Sequence, residues 1–165
     1  MILYFLRHGD AGQSAWSAGQ PADSSDDARE LTADGAAALR RAAALWQRLN
    51  LRPDVVISSP LPRAVQTAEL LVDGVGLADR PIVDARLAPG AGWSDLAQAM
   101  ASYPDARRVM FVGHEPDLSR AVALLTGASS IRLRKGGVAC VEFPGVPEPG
   151  AGELAWLLDP DLYDA

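Results

Sequence analysis

The sequence predicts an α/β fold, a three-layer sandwich with a mostly parallel central sheet and helices on both faces. Three observations predict it. Short apolar runs recur at residues 2–6, 54–57 and 107–112, and each stops at a Gly- or Pro-bearing turn. Segments with helical spacing of apolar residues separate these runs, which favours parallel pairing through crossovers. The last two runs, 138–143 and 154–158, are joined by the Pro/Gly-rich turn 144–152 and read as an antiparallel hairpin. At 165 residues the chain has the length of one domain, 1–165, with a sizeable core.

The first strand, 2–6, runs into Arg7-His8-Gly9. Residues 10–30 are small and polar and read as a long loop over the strand end, a frequent place for function. Thr32 is suited to N-cap a helix over 33–49, where Leu39, Ala42, Trp46 and Leu49 share one face. The strand 54–57 ends at Ser58-Ser59-Pro60, and a helix follows over 61–72, closed by Gly74-Val75-Gly76. Proline is tolerated only in a first helical turn, so Arg63 sits at that helix's N-terminus. A short strand is expected at 81–83 and a loop at 88–92, then a helix over 95–103 capped by Ser94. After the strand 107–112, Pro116 suits a first helical position, and the helix ends near Gly127.

Composition narrows the function classes. The net charge is −6, which argues against nucleic acid or an anionic membrane as partner. A single cysteine, Cys140, excludes an internal disulfide, and its apolar setting reads as packing. Two histidines and one cysteine without ligand-type spacing give no metal site. No segment reaches transmembrane length and no leader pattern opens the chain, so a cytoplasmic monomer is the expectation.

Both histidines of the chain follow apolar runs: His8 after 2–6, and His114 after 107–112 in Gly113-His114-Glu115-Pro116. In a parallel sheet these turns meet Ser58-Ser59-Pro60-Leu61-Pro62-Arg63 at the carboxyl edge, where ligands bind in open α/β folds. Two arginines, two histidines and helix N-termini suit a phosphoryl group. Arg7 and Arg63 offer planar donor forks, and helix starts add N–H donors. His8 could attack phosphorus if neutral at one nitrogen and anchored by an acceptor at the other; the sequence does not identify that acceptor. His114 could donate to the phosphoryl oxygens. Gly9 and Glu115, bordering the histidines, are counted with the phosphate-binding residues. Arg63 in a first helical turn opposes the helix dipole, which points to an anion nearby. Arg132, Arg134 and Lys135 read as a solvated basic turn rather than a docking site. Trp16 and Trp93 could wall the cleft or simply pack.

These strings, in this order, resemble the histidine phosphatase superfamily, which includes phosphoglycerate mutases and histidine acid phosphatases. They are Arg7-His8-Gly9, Leu31-Thr32-Ala33-Asp34-Gly35, Ser58-Ser59-Pro60 with Arg63 and Thr67, and Gly113-His114. Arg7-His8-Gly9-Asp10-Ala11 and Gly113-His114-Glu115-Pro116 most resemble the SixA-type phosphohistidine phosphatases. The resemblance implies a phosphoglycerate mutase-like fold and a transiently phosphorylated His8. It implies a phosphate pocket completed by Arg7, Arg63 and His114, and no cofactor. Mutase-like relatives carry a proton-donating carboxylate between the second arginine and second histidine. Here the matching place falls near Ala88; Asp84 and Asp95 are only neighbours, and Asp10 is a fallback. An alkoxide leaving group needs such an acid, whereas the imidazole of a phosphohistidine leaves once protonated from solvent.

The expected function is therefore hydrolysis of a phosphohistidine on a protein, without a metal. The short stretch after residue 63 implies an open cleft suited to a protein-borne group. A phosphatase for small phosphoesters or polyphosphate, using Asp10, Asp84 or Asp95, and a non-catalytic phosphate-binding module are the alternatives.

Overall fold

A computed structural model describes residues 1–12 and 27–164. Most of the loop expected over 10–30, including Trp16, lies outside the described residues. The elements in chain order are β1 (Ile2–Arg7), α1 (Ala33–Arg48), β2 (Val55–Ser58), α2 (Pro62–Val75), β3 (Ile82–Val83), α3 (Trp93–Ala101), β4 (Arg108–Gly113), α4 (Asp117–Thr126), β5 (Val138–Glu142) and β6 (Glu153–Leu158). Short 3-10 turns occupy Ala85–Leu87 and Pro160–Asp164.

One six-stranded sheet has the order β3-β2-β4-β1-β5-β6. The pairs β2–β3, β2–β4 and β1–β4 are parallel. Only β5 runs against the rest, antiparallel to both β1 and β6. The expected mostly parallel α/β sandwich is the observed one. Alternation along β1 divides the core. Tyr4 and Leu6 pack with Leu39, Trp46, Ala68 and Leu71 of α1 and α2. Leu3 and Phe5 face the other way, against Phe111, Leu96, Val122 and Leu125 of β4, α3 and α4. Residue 7 continues the second face, so Arg7 belongs to the α4 side of the sheet.

Thr32 caps α1 as expected, its hydroxyl accepting from Gly35 N–H at 2.9 Å. Three expectations need correction. Helix α2 does not end near residue 72: Gly74 lies inside it, because a Cβ there would sit 2.8 Å from Ala43 Cβ of α1. The helix runs on to Val75 and stops at Gly76, the last residue of the expected Gly74-Val75-Gly76 terminator, in the left-handed conformation at φ 70°. Helix α3 is capped by extended Gly92 rather than Ser94, and Asp95 Oδ2 accepts from Gly92 N–H at 2.8 Å. Ser94 sits in its first turn, receiving Gln98 Nε2 at 3.2 Å. Pro116 is the N-cap of α4 rather than its first helical residue.

Candidate active site

The register Arg7↔Gly113 between β1 and β4 brings the ends of both strands level. His8 N–H donates to Gly113 carbonyl at 3.0 Å, and the two imidazoles leave the same sheet edge with ring centroids 5.2 Å apart. Both are buried, 8% and 4% exposed. His8 Nδ1 lies 2.7 Å from Gly9 carbonyl. A carbonyl oxygen only accepts, so Nδ1 carries the proton and Nε2 the free lone pair. Burial, together with Arg63, Arg7 and Lys135, outweighs that hydrogen bond and pushes the His8 pKa down to about 4. The imidazole is therefore neutral at neutral pH.

His114 Nε2 meets Ser59 Oγ at 2.7 Å, and the same hydroxyl accepts from Leu61 N–H at 3.3 Å. Burial, then His8, Arg63 and Arg7, push its pKa down to about 3. Ser59 thus positions an imidazole as well as turning the chain; Ser58 only turns it, donating to Ser59 carbonyl at 3.0 Å.

Arg63 is 4% exposed in the first turn of α2, which has no side-chain cap. Thr67, one turn on, donates to Arg63 carbonyl at 2.7 Å and accepts Gly9 N–H at 3.1 Å. This fully buried hydroxyl bolts α2 to the turn after β1. Gly9, counted with the phosphate-binding residues, gives its N–H to Thr67, and its carbonyl accepts from His8. Arg7 Nη1 donates to Leu133 carbonyl at 3.0 Å. Burial lowers the pKa of its guanidinium, with Glu115 opposing and Arg132 reinforcing. Among the described residues, its buried Nε has no hydrogen-bond partner.

The candidate acids are each engaged by another group. Asp10 pairs with Lys135 Nζ at 2.5 Å, and that hydrogen bond holds its carboxyl below the usual range. Asp84 caps the turn at Ala85–Leu87 and pairs with Arg86 at 2.6 Å, which likewise lowers it. Asp95 is spent on the α3 cap. Glu115, expected at the phosphate, has Oε2 taken by Ser119 Oγ at 2.5 Å. Asp117 is buried and accepts Gly90 N–H at 2.7 Å, pinning the 88–92 loop to α4. In the basic turn, Arg134 pairs with Asp159 and Asp161 and Lys135 with Asp10. Trp93 packs against the α3/α4 core.

An edge carrying a neutral, oriented imidazole near the buried Arg63 and the half-buried Arg7 can accept a phosphoryl group. The model of the histidine phosphatase superfamily (branch 1) matches residues 3–109. The chain belongs to that superfamily. Among solved structures, that of the protein histidine phosphatase SixA complexed with tungstate superposes with a TM-score of 0.81 at 27% identity, covering 98% of this chain and 99% of that one. An uncharacterised protein of Picosynechococcus sp. is 37% identical over 144 residues, covering 84% of this chain and 82% of its own. A 2,3-bisphosphoglycerate-dependent phosphoglycerate mutase of Corynebacterium efficiens is 40% identical over 81 residues, 49% of this chain but 31% of the mutase. The fold is phosphoglycerate mutase-like, and superfamily membership with a SixA-like neighbour supports phosphatase activity. Among the described residues, no helix is long and apolar enough to cross a membrane.

Proposed function

We propose that residues 1–165 act as one domain that hydrolyses phosphohistidine on a protein through a phospho-His8 intermediate, without a metal. The observation that carries the reading is His8: Gly9 carbonyl fixes its tautomer, and burial keeps Nε2 unprotonated and ready for attack. Nε2 attacks phosphorus in line, and the P–N bond to the substrate imidazole breaks. That imidazole departs with a proton from solvent. Water then attacks phospho-His8, releasing inorganic phosphate and restoring the neutral side chain. Arg7, Arg63 and His114 supply donors to the phosphoryl oxygens as charge spreads.

The engagement of Asp10, Asp84 and Asp95 supports a P–N substrate over an ester. An alkoxide leaving group would need one of them as acid, and each holds another group. The neighbouring SixA structure, a protein histidine phosphatase bound to a tetrahedral oxyanion, supports the same reading.

The test is phosphate release from a phosphohistidine peptide and an aryl phosphoester, side by side, with His8→Ala as the blank. The peptide is expected to be preferred, and His8→Ala to lose about a thousandfold or more in kcat. Preference for the ester would reassign the chain to small phosphoesters. Turnover that survives in His8→Ala would remove the covalent mechanism.

A further inference from the structure

Ser119 lies one turn after Glu115 on α4, is 7% exposed, and makes two hydrogen bonds whose directions are fixed. Leu133 N–H donates to Ser119 Oγ at 3.3 Å, because a peptide N–H only donates. The hydroxyl's single proton then goes to Glu115 Oε2 at 2.5 Å. Leu133 carbonyl receives Arg7 Nη1 at 3.0 Å. One backbone residue is thus held at its N–H by α4 and at its carbonyl by the arginine. The pleat of β1 puts Arg7 on the α4 face, so the whole chain of bonds lies on one side of the sheet. Glu115 Oε1 and Arg7 Nε are both buried without a hydrogen-bond partner among the described residues.

We propose that Ser119, through Leu133 and Glu115, is a positioning residue that sets the angle of the Arg7 guanidinium toward the phosphoryl oxygens. The proposal rests on the reading of Arg7 as a phosphate-gripping residue. Without the hydroxyl, the buried Leu133 N–H and the half-buried Glu115 Oε2 lose their partner. The segment holding Leu133 then shifts, and Arg7 loses the acceptor that aims it. Small displacements of a positioning group cost binding and rate out of proportion to their size.

The experiment measures tungstate affinity by calorimetry, and turnover of the phosphohistidine peptide, on the full chain. The variants are Ser119→Ala, Ser119→Thr, Arg7→Ala and the double variant Arg7→Ala/Ser119→Ala. Ser119→Ala is expected to weaken tungstate about tenfold. Ser119→Thr, which keeps the hydroxyl, should stay within about twofold of the parent. In the Arg7→Ala background Ser119→Ala should cost nothing more, because its effect passes through Arg7. Unchanged affinity in Ser119→Ala, or an equal further loss in the double variant, overturns the proposal. Should Ser119→Ala fail to fold, Ser119→Cys, whose thiol is only a weak hydrogen-bond partner, takes its place in the same cycle and the same two outcomes decide. A parent that binds tungstate but releases no phosphate would sink the phosphatase reading and leave this cycle to decide on Ser119. A parent that binds no tungstate overturns both.

Discussion

At the scale of single residues, the site depends on keeping two imidazoles neutral beside two guanidinium groups. Burial does most of this, and the arginines add to it. His8 therefore retains its attacking lone pair far below the ordinary histidine range. The acid limb of kcat/KM reports the free enzyme, so it should fall near pH 4 rather than near pH 6.5. The check is a pH profile corrected for the substrate's own ionisation and for uncatalysed release. A limb near 6.5 would mean a solvated His8.

The four candidate residues Arg7, His8, Arg63 and His114 stand out in the sequence because each borders a strand end or a helix start. Their partners do not. The acceptor for His8 is the carbonyl of the very next residue, Gly9, and every residue carries a carbonyl. Ser59, Thr67 and Ser119 act through hydroxyls whose partners are brought close only by the tertiary fold. The spacing Arg63-x-x-x-Thr67 does not disclose the Gly9 partner until α2 docks beside β1. Gly9 borders His8 and so counts with the phosphate-binding residues, but its N–H goes to Thr67.

Between elements, the site is framed by individual close approaches of backbone to backbone. Gly35 in the first turn of α1 is the tightest case: a Cβ there would lie 2.3 Å from Asp10 carbonyl oxygen. Replacing a helical glycine by alanine ordinarily stabilises by about 0.5–1 kcal/mol. Here the backbone of the turn after His8 is in the way, so Gly35→Ala should destabilise instead, by about 1–3 kcal/mol in urea unfolding. It should also lower turnover, since Asp10 must move and His8 is two residues away. A stabilised variant would show that the turn yields freely. The same sterics explain where element boundaries departed from the sequence pattern. Gly74 looked like a helix stop and is a close-approach point to α1. Ser94 looked like a cap, yet Asp95 reaching back to Gly92 sets the start one residue earlier than Ser94.

For the whole molecule, the two buried histidines couple stability to pH. Their folded pKa values, about 4 and about 3, lie below the unfolded value near 6.5. Between those limits the unfolded chain binds more protons, so stability rises with pH there. It is complete above about pH 6.5 and falls as pH drops toward 4 and then 3. The urea midpoint should accordingly be lower at pH 4.5 than at pH 7, and a His8→Gln/His114→Gln variant should show a flatter dependence. An equal slope in both would rule out the histidines as its source. The sheet itself was partly legible at this scale. Parallel placement of β1 and β4 followed from two apolar runs ending alike, whereas a C-terminal hairpin can extend either edge, and only packing places β5 beside β1.

The insertion of β4 between β1 and β2 has a temporal consequence. His8 and Arg63 are synthesised early, yet the strand that sets them side by side is the fourth made, and it carries His114 at its end. Loop-closure entropy must be met before such distant pairings hold. On the proposed function, the two sides of the site meet only once β4 has paired with β1 and β2. A refolding chain is therefore expected to regain oxyanion affinity no earlier than that pairing. Recovery of the affinity would then time the closure of the central sheet.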